Sequence, residues 1–246
     1  MSGKGNKTVP VRLKLSKMPS SLPSMPLCAY FCRMNTAEWL GRFAGQMAET
    51  PATEWLAAGF GVASVLLARI NSVWLYPTGI ISTALYTWLF FRPETQLYAE
   101  GMLNLYYFSM SVYGWAHWVR RRDRAPLPVT RNNHRDWLIT AVIVAAGWLI
   151  LYGVLTTWTS SDVPAWDAWI SATAWAGMWL LARRKVENWV LLNISNICAI
   201  PLQLYKQMPL TAMLTLFLFI VAVSGFFSWR KIWREQQAQI RTRQPE

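Results

Sequence analysis

Seven stretches of this chain run for close to the width of a bilayer with almost no charge, and that limits the fold more than any other feature. A helix needs about 20 apolar residues, each rising 1.5 Å, to cross the hydrocarbon core. The stretches are roughly 53–69, 72–91, 101–119, 137–158, 166–182, 188–205 and 208–229, with Glu54 and Asp167 near the ends of the first and fifth. Buried helices of a soluble bundle alternate with charged faces, and these do not. Sixteen tryptophans in 246 residues are also more than a soluble domain of this size needs. The reading is an all-α membrane protein with seven transmembrane helices.

The formal charge of +12 could suggest a nucleic-acid partner, but its placement argues otherwise. Positive residues gather at Lys4–Lys17, at Arg120–Arg135, at 183–185 and at Arg230–Arg243. No nucleic-acid-binding motif accompanies them. The loop 159–167 holds Asp162 and Asp167 without a lysine or arginine. With seven crossings the basic loops fall on one side, so the positive-inside rule puts the C-terminus in the cytoplasm and the N-terminus outside.

Residues 1–33 oppose that rule. They are basic, contain proline and serine, and lack an apolar core of signal-peptide length. The expectation is a disordered extension over 1–33, with Met34 as the functional start. In TAEWLGRFAGQMAE (36–49), Trp39, Leu40, Phe43 and Met47 share one face, so 34–52 reads as an amphipathic segment on the membrane surface. The remaining plan is a first three-helix repeat over 53–119, a basic cytoplasmic linker over 120–135 and a linker helix over 136–158. A second three-helix repeat over 164–229 and a cytoplasmic tail over 230–246 complete it.

Three cysteines (Cys28, Cys32, Cys198) and two histidines (His117, His134) give neither a disulfide framework nor a metal-ligand spacing, so no metal or cofactor is expected. No phosphate-cradling GxxxxGK[ST] loop is present.

Short patterns recur. LLAR closes the first run at 66–69 and the fifth at 180–183, and GWAHW (114–118) is answered by GFFSW (225–229). Three helices reverse the chain's direction, so a fourth crossing would let a second triplet run parallel to the first. The expected arrangement is 3+1+3, with a substrate site near the midplane between the repeats.

The stretch NWVLLNISNICAIPLQLY (188–205) is rich in amides for a membrane helix. Trp189, Asn193, Asn196, Ile200 and Gln203 fall at i, i+4, i+7, i+11 and i+14, on one helix face. Pro201 beside that stripe frees a carbonyl, which a lined cavity tolerates. Asn104, Tyr107, Ser111, Trp115 and Trp118 make a related face on the third run, and Trp74, Pro77, Thr78, Ser82 and Tyr86 on the second. Two readings stand: a pocket wall, or amides acting as glue between helices at about 1 kcal/mol each. Candidate substrate-binding residues are Trp74, Thr78, Asn104, Tyr107, Trp115, Trp118, Trp189, Asn193, Asn196 and Gln203.

YAEGMLNLYYFSMSVYGWAHW (98–118), ARRKVENWVLLNISN (182–196) and PLPVTR (126–131) resemble segments of the nicotinamide riboside transporter (PnuC) family over about 53–233. The resemblance implies a SWEET-like 3+1+3 fold, facilitated diffusion of a ribosylated or related vitamin, and a homotrimer in the bacterial inner membrane. Two positions depart from the family: Leu192, where members often carry tryptophan, and Asn104, where they often carry glutamine. Thiamine and deoxynucleosides therefore stay open as alternative substrates.

A pyridinium ring is attracted to tryptophan and tyrosine faces, and amides supply both donors and acceptors for its carboxamide and ribose. Thiamine satisfies the same argument. Acids inside the membrane usually mark proton coupling, yet Glu54, Glu100, Asp167 and Glu187 all fall at the ends of the expected helices. A uniporter is expected, with uptake drawn forward by a separate cytoplasmic kinase. A retinal protein is excluded because 208–229 has no lysine for a Schiff base. A membrane-embedded enzyme would need a polar catalytic cluster, and the arginine-rich 120–135 segment reads as a topogenic linker.

Overall fold

A computed structural model describes residues 36–92, 98–119, 128–158, 163–206 and 208–243. The extension 1–33, the first half of the linker (120–127) and the loop 159–162 lie outside the described residues. The helices are α1 (Thr36–Glu49), α2 (Ala52–Arg69), α3 (Leu75–Phe90), α4 (Tyr98–Val119), α5 (His134–Trp158), α6 (Pro164–Ala182), α7 (Asn188–Tyr205) and α8 (Pro209–Arg243). Among the described residues the extended pairing is a single bridge between Thr130 and Lys185.

Each boundary has a local cause. At the start of α5, Asn133 and Asp136 cap each other's backbone: Asp136 N–H donates to Asn133 Oδ1 (2.8 Å) and Asn133 N–H to Asp136 Oδ2 (3.2 Å). α6 begins on Pro164, whose missing N–H costs nothing in a first turn. α2 and α6 end alike. Ser72 N–H reaches back to the Leu67 carbonyl and Asn71 N–H to Ala68; Lys185 N–H reaches Leu180 and Arg184 N–H reaches Leu181. This closing pattern needs a left-handed residue, supplied by Asn71 (φ 58°) and Arg184 (φ 56°) rather than by glycine.

Helix packing closes a ring in the order α2, α3, α4, α6, α7, α8 and back to α2, while α5 packs on the outside of α6. The core lies at one mouth of this ring. It gathers Ala68, Tyr76, Trp118, Leu181, Trp189 and Trp229 from six helices, with Val129 and Val186 from the connecting segments. Two indoles cross the thinner joints: Trp118 Nε1 donates to the Ala182 carbonyl (3.0 Å) and Trp229 Nε1 to the Ala68 carbonyl (2.9 Å). Each also meets a ring edge-on, Trp118 with Tyr76 (5.0 Å) and Trp229 with Trp189 (5.7 Å).

The two bonds are expected to differ in worth. Ala68 O keeps the Asn71 N–H if Trp229 is lost, whereas Ala182 O accepts only from Trp118 among the described residues. Trp118→Phe should therefore cost about 2 kcal/mol and Trp229→Phe about 1 kcal/mol. Paired thermal melts in detergent would test the order, and an equal or reversed order would contradict it.

The expectation of seven crossings in a SWEET-like 3+1+3 arrangement does not stand. Two helices are long and apolar enough to cross a membrane, His134–Trp158 and Pro209–Ile240; a third crossing is possible if the pair Leu40–Glu49 and Ala52–Arg69, bent by 104°, counts as one span. Absence of charge overcounted for a physical reason. The run 72–91 includes turn residues before Leu75, and the 16 residues of α3 span only about 24 Å at 1.5 Å each. Where α7 carries amides it is less apolar, and its buried face meets protein rather than lipid.

Candidate functional site

The amide stripe is on one continuous helix, α7, with Pro201 inside it. Lacking an N–H, Pro201 leaves the Ile197 carbonyl without its usual intrahelical donor. Asn193 Nδ2 donates to the Trp189 carbonyl one turn back (2.9 Å), which turns the amide's Oδ1 outward from its own backbone. That Oδ1 is buried without a partner, as are Trp189 Nε1 and Gln203 Oε1. Leaving a buried polar atom unsatisfied costs about 1–3 kcal/mol. Three such atoms lie on one face of one helix. From Trp189 to Gln203 the stripe is about 21 Å long, a track rather than one contact point.

On α4, which like α7 packs against α6, Asn104 and Tyr107 are both half-buried. Tyr107 adjoins Tyr106 (ring centroids 5.9 Å), and Tyr106 packs on Trp175 of α6 at 4.6 Å, its hydroxyl donating to the Trp175 carbonyl (3.3 Å). Trp175 Nε1 is another buried donor without a partner. Tyr106 and Trp175 were missed by reading the sequence, because one face of α4 was followed through Tyr107 and α6 shows no amide. Leu192, the position that departs from the resembled family, lies against Gly177 of α6, where a Cβ would fall 2.9 Å from it. It packs one helix onto another.

The other candidates have different surroundings. Trp118 and Trp189 share the core at the ring's mouth. Trp74 (65% exposed) sits in the turn before α3, and Trp115 (43% exposed) looks outward from α4. Thr78 donates to the carbonyls of Trp74 and Leu75 in its own helix (both 3.0 Å). These three belong to the outer surface and a helix start, and the structure does not bring them to the stripe.

Charge is organised at the same mouth. Glu187, buried at the N-terminus of α7, accepts from Arg131 Nε (3.1 Å) and from Asn132 N–H (2.9 Å). Lys185 Nζ meets Asp136 Oδ2 at 2.7 Å and the Arg131 carbonyl at 3.1 Å. Thr130 N–H donates to the Arg184 carbonyl and Val186 N–H to the Thr130 carbonyl, both at 3.0 Å. Val129 N–H donates to Gln236 Oε1 of α8 (3.1 Å). The segment 128–133 is thereby fastened to the entry of α7. Sequence reading saw only a topogenic linker there, since the partners stand 49–107 residues apart. Among the described residues no group of three or more His, Cys, Asp or Glu could hold a metal.

Comparison with known proteins adds the following. Residues 51–231 match the family described as Nicotinamide mononucleotide transporter. The nicotinamide riboside transporter PnuC of Escherichia coli (strain K12) is 24% identical over 211 residues, covering 74% of this chain and 87% of that protein. The riboflavin/roseoflavin transporter RibM of Streptomyces davaonensis is 22% identical over 146 residues, covering 58% of this chain and 67% of that protein. Among solved structures, the crystal structure of the vitamin B3 transporter PnuC superposes with a TM-score of 0.61 at 23% identity, covering 81% of this chain and 90% of that one. That likeness shows the fold, and it is to this fold rather than to a SWEET-like one.

Proposed function

Because this chain belongs to the nicotinamide mononucleotide transporter family, we propose that it carries nicotinamide riboside across the membrane by facilitated diffusion. It is a carrier and not an enzyme, and a multi-pass protein of the bacterial inner membrane. The observation that carries the substrate assignment is the set of unpartnered polar atoms on α7. Asn193 Oδ1 and Gln203 Oε1 are acceptors and Trp189 Nε1 is a donor. A riboside with hydroxyls and a carboxamide matches both kinds. Tyr106, Tyr107 and Trp175 offer ring faces for its pyridinium, an attraction of about 2 kcal/mol when desolvated.

Asn193 and Asn196 hold the substrate midway along α7, with Asn104 and Tyr107 on α4 and Gln203 on the route between the two mouths. Trp189 sets the end of the stripe. The carrier is a homotrimer with its C-terminus in the cytoplasm and its N-terminus outside. A separate cytoplasmic kinase traps the product as a phosphate ester, so no ion gradient is used. Support for the gradient-free mode comes from three of the acids: Asp136, Asp167 and Glu187 lie in helix first turns or caps and are each paired with a cation, while Glu54 lies in the first turn of α2 with no ion pair among the described residues.

Titration calorimetry on the purified protein tests the substrate, with nicotinamide riboside, thiamine, a deoxynucleoside and riboflavin run in parallel. Nicotinamide riboside should bind saturably, and Asn193→Ala and Asn196→Ala should each weaken it tenfold or more, about 1.4 kcal/mol. Preference for another ligand would overturn the substrate, and unchanged affinity in both variants would return the amides to a packing role.

A further inference from the structure

Arg184 is in an unusual position at the mouth of the ring. It occupies the left-handed position that ends α6, with φ at 56°, where a side chain is disfavoured and glycine would fit without strain. Its guanidinium lies over the Trp118 ring, 4.2 Å from the centroid. Tyr76 packs edge-on against that same indole, is only 2% exposed, and leaves its hydroxyl without a hydrogen bond.

The charges around Arg184 do not balance. Arg131 is matched by Glu187 and Lys185 by Asp136, which uses both acids. Arg183 points elsewhere, over Trp179. No hydrogen bond or ion pair to the Arg184 side chain occurs among the described residues, and its Nε is buried with none. Burial holds this guanidinium below the ordinary arginine range, as expected for a cation drawn from water with no acid beside it. The side chain is nevertheless partly open to the outside. Among the described residues this half-buried cation has no anionic partner.

We propose that Arg184, backed by Trp118 and with Tyr76 against the same indole, binds a phosphate monoester at this mouth of the ring. The guanidinium fork suits two oxygens of a phosphate at once. Trp118 fixes the plane of the fork, so little freedom is lost on binding. Its regulatory meaning rests on the trapping scheme above: the phosphorylated product would return to this mouth and slow further release. A phospholipid headgroup presents two such oxygens in a phosphodiester and is the rival source.

The test is calorimetry of the full chain in neutral detergent, with ribose 5-phosphate and inorganic phosphate as probes. Arg184→Gln removes the charge, and Arg184→Gly removes it while relieving the backbone, so loss of fold does not confuse the result. Ribose 5-phosphate should bind wild type saturably and at least tenfold more weakly to both variants, while nicotinamide riboside affinity shifts less than twofold. Repeating the titration in phosphatidylcholine nanodiscs with and without phosphatidylglycerol separates the sources. No ribose 5-phosphate binding, binding unaffected by either variant, or Arg184-dependent binding of phosphatidylglycerol alone would overturn the proposal. If ribose 5-phosphate binds through Arg184 but nicotinamide riboside does not bind at all, the anion site stands and the substrate assignment falls.

Discussion

Gly114→Ala should cost about 3 kcal/mol or more, enough to remove most of the folded protein from a detergent extract. A Cβ at this position would overlap Tyr76 Cε1 and fall 2.7 Å from its Cζ. No real methyl tolerates such a contact, so one of the two must move. Tyr76 cannot swing away, because it is fully enclosed and its ring is braced edge-on by Trp118. Gly225 faces Trp189 in the same manner, with contacts from 2.8 Å, and Gly225→Ala should be damaging but less so. Adding Tyr76→Leu to Gly114→Ala should recover stability, whereas Tyr76→Leu alone should lose it. Size-exclusion profiles after a heat step would read all of these, and an unaltered melting point in Gly114→Ala would contradict the packing described.

Lys185→Met should be nearly as severe, at about 3–5 kcal/mol, because it strands a buried carboxylate. The Lys185 and Asp136 side chains are 14% and 9% exposed and meet at 2.7 Å. Without the ammonium, Asp136 would keep the Asn133 N–H as partner for a full negative charge. Lys185→Met with Asp136→Asn should regain a large part of the loss, since the neutral amide keeps the helix cap and needs no counter-charge. The contrast with Lys231–Glu235 is instructive. That pair is 3.9 Å apart and exposed on one helix face, so Lys231→Met should change the melting point little. A double variant no better than Lys185→Met alone would mean that the pair's worth is not electrostatic.

Much of α7 was legible because helix periodicity needs only local spacing. The residues Asn193, Asn196 and Gln203 can be put on one face from their numbers alone, and the helix Asn188–Tyr205 carries them as one piece. The partnership of Trp118 with Ala182 and of Trp229 with Ala68 could not be read, although both LLAR segments and both Gly-Trp endings were visible. Recurrence shows that two patterns are alike, not which one each touches. Trp74 was singled out beside Trp189 for its identity; the residue that meets Trp118 as Trp189 meets Trp229 is Tyr76, a different ring at the second position of its helix. The count of crossings failed for another reason: lack of charge is not hydropathy, so α4, α6 and α7 are long enough at 22, 19 and 18 residues but not apolar enough, while turn residues hide inside the uncharged run before α3. The ion pairs at 131, 136, 185 and 187 depend on tertiary placement. Arg184 was invisible too, since nothing local announces a left-handed arginine.

The ring is joined unevenly. Neighbours along the chain share long contacts, but α2 with α8 and α4 with α6 touch along thinner lines, and each of those lines is riveted by one indole at the same end. The α4–α6 line is held a second time along its length by Tyr106 on Trp175, whereas the α2–α8 line carries one cross-helix hydrogen bond among the described residues, at the mouth. An opening along the α2–α8 line would therefore hinge at Trp229, and the fastened 128–133 segment, tied to α8 through Gln236, would stay with that end.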